Sequence, residues 1–169
     1  MANSLYDFTV PTLIAALGNL SKQLDKAAAH AEAKKFDANQ FSDQRLIAGM
    51  LPLTSQVQIC CDNAKGAAAR LAGIDPPKHE DNEKTIAELK TRIAKTIEFM
   101  NTVRPDQFNG AETREIVLKF PSLTLKFNGK DYVTKYVLPN FYFHATTAYA
   151  ILRTNGVELG KGDFLGNIQ

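Results

Sequence analysis

PNFYFHATTAYAILR occupies residues 139–153, is closed by Asn155-Gly156, and decides how this chain folds. The stretch is apolar on nearly every side of a helix, which is typical of a helix buried inside a bundle. Three polar residues, Asn140, His144 and Thr147, follow the spacing i, i+4 and i+7 and therefore share one helix face. Because buried polar groups need partners, this line predicts either an internal hydrogen-bond network or a pocket.

Three more helices are predicted upstream, because apolar residues recur there every three or four positions. The first begins near Pro11, and the second covers about residues 42–71 with Ser42 as its N-cap. Pro52 predicts a kink or a local break in the second helix, and Gly73 ends it. The third covers about residues 82–103, and its charged residues, Arg92 among them, predict a solvated face. The buried stripe of the first helix is expected to be Leu13, Leu17, Leu20, Leu24, Ala27 and Ala31.

Between Pro105 and Gly129 the helical period gives way to alternation. The alternating apolar residues are Ile116, Leu118 and Phe120, then Leu123, Leu125 and Phe127 after a Pro121-Ser122 turn. Two such runs predict a β-hairpin with one apolar face. The last helix is then expected from Asp131, as its N-cap, to Thr154, with a disturbance at Pro139. The fold class predicted is all-α: an up-and-down four-helix bundle with a short β-hairpin before the last helix, forming a single domain over residues 1–169.

Composition excludes several classes of protein. The net charge is +2, from 20 basic and 18 acidic residues spread along the chain, so no basic patch predicts nucleic-acid binding. Apolar runs fall short of the roughly 20 residues that span a membrane. Residues 1–7 lack a basic start followed by an apolar core, so no secretory leader is expected. A soluble, cytoplasmic protein is therefore predicted.

Other reactive residues carry weaker signals. Cys60 and Cys61 are adjacent and belong to no CxxC or Cys/His spacing, so they are interpreted as packing residues, with redox or nucleophilic use as the alternative. His30 and His79 are expected at the surface. Gln56 and Gln58 are either solvated or interhelical, or they line a pocket.

The final helix also resembles a known signature. His144, Leu152, Arg153 and Asn155-Gly156 are similar to the last helix of the DinB-like (YfiT-like) superfamily of four-helix bundles. An uncharacterised branch of that superfamily, a domain of unknown function, is similar over nearly the whole chain. The segments that carry this similarity are DKAAAHAEAK (25–34), PLTSQVQ (52–58), AKGAAARL (64–71), LPNFYFH (138–144) and GDFLG (162–166).

The resemblance implies a metal hypothesis. Members of the superfamily commonly hold a divalent metal with one histidine from the second helix and an HxxxH pair on the last, and some use it in thiol-dependent transferase or isomerase chemistry. Here His144 matches the later histidine of the pair, whereas Asn140 takes the earlier position and residues 42–71 contain no histidine. The resemblance also implies a homodimer, as in many relatives.

Three interpretations of His144 follow. It is a core histidine bonded to Asn140, Thr147, a tyrosine or Gln56; or it belongs to a metal-free ligand pocket with Gln56, Asn140 and Thr147; or it holds zinc or nickel with Asn140, with Asp62 as a candidate carboxylate. No cofactor is expected, because one imidazole and one amide are weak ligands for these metals. The predicted function is small-ligand binding around His144. The alternative is a metal- or thiol-dependent transferase or isomerase with a degenerate metal site.

Overall fold

A computed structural model describes residues 4–167, and the outermost residues of the predicted domain, 1–3 and 168–169, lie outside the described part. The described chain is mostly helical with one two-stranded antiparallel sheet. Its elements are α1 (Leu5–Lys34), α2 (Leu53–Ala72), α3 (Ile86–Asn101), β1 (Glu115–Phe120), β2 (Leu123–Asn128), α4 (Gly129–Asp131), a π-helical segment (Tyr132–Val137), α5 (Leu138–Thr154) and α6 (Lys161–Leu165). Short 3₁₀ turns lie at Ala38–Phe41 and Pro105–Phe108.

Helix α1 begins at Leu5, so the predicted start near Pro11 was wrong. Asp7 accepts a hydrogen bond from the backbone N–H of Ser4 at 2.9 Å, which caps the helix before the proline is reached. Pro11 has no N–H to offer the carbonyl of Asp7, and the hydroxyl of Thr12 donates to that oxygen instead at 3.1 Å. The helix therefore passes through Pro11. The predicted stripe of α1 is confirmed, since all six of its residues are buried.

The predicted second helix was too long at its start. Residues 42–52 form turns, and α2 begins only at Leu53, directly after Pro52. Proline disfavours helical backbone in the residue before it, so the helix breaks there and does not merely kink. Ser42 consequently is not an N-cap; its carbonyl accepts a bond from the Thr54 hydroxyl at 3.0 Å. Gly73 ends α2 with φ +73°, as the sequence predicts.

Helix α3 also begins later than predicted. Thr85 is its N-cap, and the hydroxyl of Thr85 accepts a bond from the backbone of Glu88 at 3.1 Å while the Glu88 carboxylate bonds back to the N-cap backbone. Asn82 therefore lies outside the helix.

The hairpin prediction is confirmed in position and pairing. Strands β1 and β2 pair antiparallel, with Ile116 opposite Phe127 and Leu118 opposite Leu125. Ile116 and Leu118 are buried, so the predicted apolar face packs on the helices near the base of the hairpin. At the tip, Phe120 is exposed.

The last helix departs from its prediction in two respects. Its cap is Asn128, whose side chain accepts a bond from the backbone N–H of Asp131 at 2.8 Å, so Asp131 is not the N-cap. The disturbance expected at Pro139 is the π-helical segment before it. Burial on all sides was also wrong, because Tyr142 is 37% and Phe143 56% exposed. The face of α5 that is buried carries Phe141, Ala145, Ala148, Ile151 and Leu152.

Helix α2 lies at the centre of the packing, against α1, α3 and α5, and α1 also packs against α3 and α6. The short helix α6 was not predicted. It is held to α1 by Asn19, whose amide donates to the Phe164 carbonyl at 3.3 Å, and by the ion pair of Lys26 with Asp163 at 2.7 Å. Within residues 4–167, no helix has the length and hydropathy to cross a membrane.

Candidate functional site

His144 of α5 contacts Gln56 of α2. The ring Nδ1 lies 2.6 Å from Gln56 Oε1. The amide of Gln56 is oriented by a second bond, in which Nε2 donates to the Leu51 carbonyl at 3.0 Å. Oε1 therefore faces the ring, Nδ1 carries the hydrogen, and Nε2 of the imidazole is left as an acceptor. Burial lowers the pKa of His144, which favours this neutral form.

The other two candidate residues, Thr147 and Asn140, have different contacts from His144 and Gln56. Thr147 is satisfied within its own helix, because its hydroxyl donates to the Phe143 carbonyl at 2.7 Å. Asn140 lines a cleft whose walls do not include His144. The structure thus brings His144 together with Gln56 and places Asn140 in different surroundings.

The cleft at Asn140 lies between helix α2 and the hairpin, and we call it the α2–hairpin cleft. Its volume is about 230 Å³. Its lining residues are Ile59, Asp62, Asn63 and Arg70 of α2, residues 117–120 of β1, Tyr132 and Tyr136 of the π segment, and Asn140. Four elements thus converge on it, and the π segment supplies both tyrosines.

Asn63 lines this cleft and is not satisfied by the protein. Asn63 is only 8% exposed, and within residues 4–167 neither its Oδ1 nor its Nδ2 has a hydrogen-bond partner. Leaving a buried polar group unpaired costs about 1–3 kcal/mol. The sequence analysis did not identify Asn63. Its position between Cys60 and Ala64, both buried residues of α2, could have indicated that it is buried too.

Arg70 lies at the edge of the same cleft. Its Nη1 donates to the Tyr132 hydroxyl at 3.1 Å, and in the described chain it forms no ion pair with a carboxylate. The guanidinium lies over Gly66, where a Cβ would come within 2.3 Å of Nη1. Burial raises the pKa of Tyr132, so its hydroxyl stays neutral beside the arginine.

A charge cluster centred on the buried side chain of Arg92 joins α2 to α3, contrary to the predicted solvated face of α3. The side chain of Arg92 is 1% exposed and pairs with Glu83 at 2.9 Å and with Asp62 and Asp81 at 2.8 Å each. Lys65 pairs with Asp62 at 2.7 Å. Arg92 follows Leu89 by three residues, a spacing that puts it beside the apolar stripe and could have identified it.

His79 lies next to this cluster and is half-buried, so part of the residue is exposed at the surface as predicted. Its Nδ1 has no hydrogen-bond partner within residues 4–167. Burial lowers the pKa of His79, and the positive charges of Lys65 and Arg92 lower it further. A second cleft of about 700 Å³ opens here, between residues 62–70 of α2 and the loop 75–80, and we call it the α2–loop cleft.

The two cysteines are fully buried on α2. Burial raises the pKa of Cys60, and it raises the pKa of Cys61 to about 12. Since the thiolate is the reactive form, these surroundings favour the packing interpretation over nucleophilic use.

The residues near His144 do not fit the three-histidine metal set. Within the described chain, no three His, Cys, Asp or Glu side chains are grouped so that they could hold a metal ion. His30 packs its ring against Phe36 and Phe41, with centroids 6.1 and 6.4 Å apart, and His79 lies next to the charge cluster. Asp62 is paired with Arg92 and Lys65. The candidate ligands that remain are the imidazole of His144 and the neutral amides of Gln56 and Asn140, and these groups bind zinc or nickel weakly.

Comparison with known proteins identifies a family and a similar solved structure. The family model described as a domain of unknown function, DUF1993, matches residues 5–165. A crystal structure of a DinB family member protein from Shewanella denitrificans is similar, with 43% identity and a TM-score of 0.90, over 97% of this chain and 93% of that one. A search of the curated proteins finds no match.

Proposed function

The chain belongs to the DUF1993 family of DinB-like proteins, and we propose that it binds a small polar molecule in the α2–hairpin cleft. Its four long helices are proposed to form an up-and-down bundle, with the hairpin before the last one. In this arrangement α2 and α5 contribute hydrogen-bonding groups to one ligand, and the hairpin covers it from the side.

The observation that carries the proposal is the unpaired amide of Asn63. A ligand that accepts from Nδ2 and donates to Oδ1 would recover the free energy lost by burying this side chain. Asn140 supplies a second amide in the same cleft from the other long helix. The volume of about 230 Å³ lies below the usual range for drug-sized ligands, so the occupant is small.

This proposal moves the predicted pocket along the last helix, from His144 to Asn140. The hydrogen bond between His144 and Gln56 then joins α5 to α2, and the hydroxyl of Thr147 bonds only within its own helix. The role of this bond between the helices is to hold the two helices that carry Asn63 and Asn140 at a fixed separation.

We further propose that ligand binding requires no transition metal. The donor set around His144 supports this, and the buried thiols give no support to the alternative transferase or isomerase. The purified protein should show no stoichiometric zinc or nickel by mass spectrometry, and neither metal should raise its melting temperature. Stoichiometric metal in the natural protein that is lost in His144→Ala would overturn this proposal.

The ligand site is tested by recording amide NMR spectra during titration with a library of small polar fragments. Fragments that bind should shift resonances of residues 59–63, 117–120 and 140. Asn63→Leu should abolish those shifts, whereas the matched variant Asn101→Leu, at an exposed position on α3, should retain them. Shifts centred on residues 51–56 and 144 instead, or no binding at all, would contradict the proposal.

A further inference from the structure

Arg70 lies where three clefts adjoin, the third of which is lined by residues 73–76 and 114–117. It lines both the α2–hairpin cleft and the α2–loop cleft, and Asp62 is shared in the same way. A molecule bound at Asn63 and Asn140 therefore has the guanidinium within its immediate surroundings. The position of Arg70 raises the question of which chemical group of a ligand it binds.

The charge of Arg70 is unbalanced by the protein. The nearby carboxylate of Asp62 is engaged by Lys65 at 2.7 Å and by Arg92 at 2.8 Å. The acidic residues of the loop, Asp75 and Glu80, are exposed, and within residues 4–167 neither forms an ion pair with Arg70. Lys119 adds a second positive charge to the wall of the α2–hairpin cleft. This cleft consequently favours an anion over a cation.

The guanidinium is also held in place. Tyr132 accepts from Nη1 at 3.1 Å, which leaves the Nε and Nη2 hydrogens without a protein partner in the described chain. Gly66 lets the guanidinium lie directly on the helix surface, because any Cβ there would overlap Nη1. An arginine fixed in this way presents a planar pair of donors, the geometry that matches the two oxygens of a carboxylate or phosphate.

We propose that the ligand of the α2–hairpin cleft carries an anionic group, a carboxylate or a phosphate, and that Arg70 binds this group while Asn63 and Asn140 bind the polar remainder. This inference rests on the proposed function and adds the chemical class of the ligand to it. Arg70 is a binding residue in this scheme, and Gly66 is required for its position.

The test compares three probes of similar size by calorimetry and amide NMR: benzoate, phenyl phosphate and the neutral benzamide. At least one anion should bind more tightly than benzamide, and the tighter of the two anions distinguishes carboxylate from phosphate recognition. Arg70→Gln should weaken the anion by about tenfold or more, since a charge-assisted hydrogen bond is lost, and leave benzamide unchanged. Gly66→Ala keeps the arginine but displaces its guanidinium, so it should weaken the same anion.

The control variant is Lys22→Gln. It removes one exposed positive charge on α1, outside both clefts, and should leave all three affinities unchanged. Benzamide binding as tightly as both anions, or an anion affinity unaffected by Arg70→Gln, would overturn the anionic ligand and leave the proposed function standing. If none of the probes shifts the cleft resonances, the proposed function fails and this inference fails with it.

Discussion

Asn63 carries a buried amide that the protein itself does not satisfy. Replacing it by leucine removes the unpaired groups and keeps a similar volume, so Asn63→Leu is expected to raise the free energy of unfolding by about 1 kcal/mol. The measurement is chemical denaturation, and exposed Asn101→Leu is the control, with a change within about 0.5 kcal/mol. A marked loss of stability in Asn63→Leu would show that the amide is satisfied in the folded protein and would remove the main support for the ligand site.

His144 should titrate below its ordinary pKa of 6.5, because burial disfavours the imidazolium. Its neutral form should carry hydrogen on Nδ1, since Oε1 of Gln56 faces that atom. NMR of the imidazole resonances across the acid range reports both properties. A pKa at or above the ordinary value, or the Nε2–H tautomer, would contradict the orientation of Gln56.

The partner of His144 was only partly predictable from the sequence. Gln56 was one of four candidate partners. Asn140 and Thr147 have the right helical spacing to lie near His144, but that spacing does not decide between them and Gln56. The choice depends on the carbonyl of Leu51, which orients the Gln56 amide. Leu51 was expected inside a helix, where its carbonyl would be engaged by the backbone, so sequence reasoning could not identify this acceptor.

Among the elements, the contact of α2 with α3 depends on the buried charge of Arg92. Arg92→Met leaves the half-buried carboxylate of Glu83 without its ionic partner, with only the hydrogen bond from Gln58, and should lower the free energy of unfolding by about 3 kcal/mol. The matched change Lys95→Met, at an exposed position on α3, should have little effect. Denaturation curves of the two variants give the comparison, and equal stabilities would contradict a structural role for the cluster.

One member of the same cluster, Glu83, contributes to the acid sensitivity of the fold. Burial raises the pKa of Glu83, but hydrogen bonds from Gln58 and Arg92 lower it more, so its pKa in the folded protein lies below the ordinary 4.5. The unfolded chain therefore binds the proton more readily, and the stabilisation is complete above about pH 4.5 and lost as the pH falls through the lower folded value. Glu83→Gln should flatten this acid loss in denaturation measured against pH. An unchanged slope would contradict the assignment.

The first turn of the last helix packs against backbone. A Cβ on Gly129 would lie 1.8 Å from the Ala111 carbonyl oxygen, so Gly129→Ala should destabilise the protein by about 1–3 kcal/mol. Gly18→Ala on α1 meets no atom within 4 Å and should be neutral or stabilising, because alanine favours helix. Thermal melting of both variants is the measurement, and equal melting temperatures would contradict this packing.

Helix interiors were easier to predict than helix ends. All six residues assigned to the stripe of α1 are buried, because their spacing is regular and uninterrupted, and Val10, which precedes the predicted start of the helix, is buried as well. The apolar spacing of the predicted second helix continues across Pro52, so the prediction extended that helix over residues 42–52, which form turns. Caps such as Thr85 and Asn128 depend on the hydrogen bonds of single side chains. Because several residues of the same type lie nearby in the sequence, the capping residue could not be chosen from sequence alone.

At the scale of the whole molecule, helical content and the hairpin could be predicted, whereas the cleft between them could not. Its walls come from α2, β1, the π segment and α5, and their approach depends on tertiary packing. One domain over residues 1–169, a homodimer and a cytoplasmic location remain predictions. Sedimentation of the purified protein would test the dimer, and a monomer at all concentrations would contradict it.

The most direct test of the account is a crystal structure of the protein soaked with phenyl phosphate or benzoate. The expected result is density for the probe in the α2–hairpin cleft, with its anionic group on Arg70. An empty cleft with the probe bound beside His144, or Asn63 bonded to protein groups alone, would contradict it.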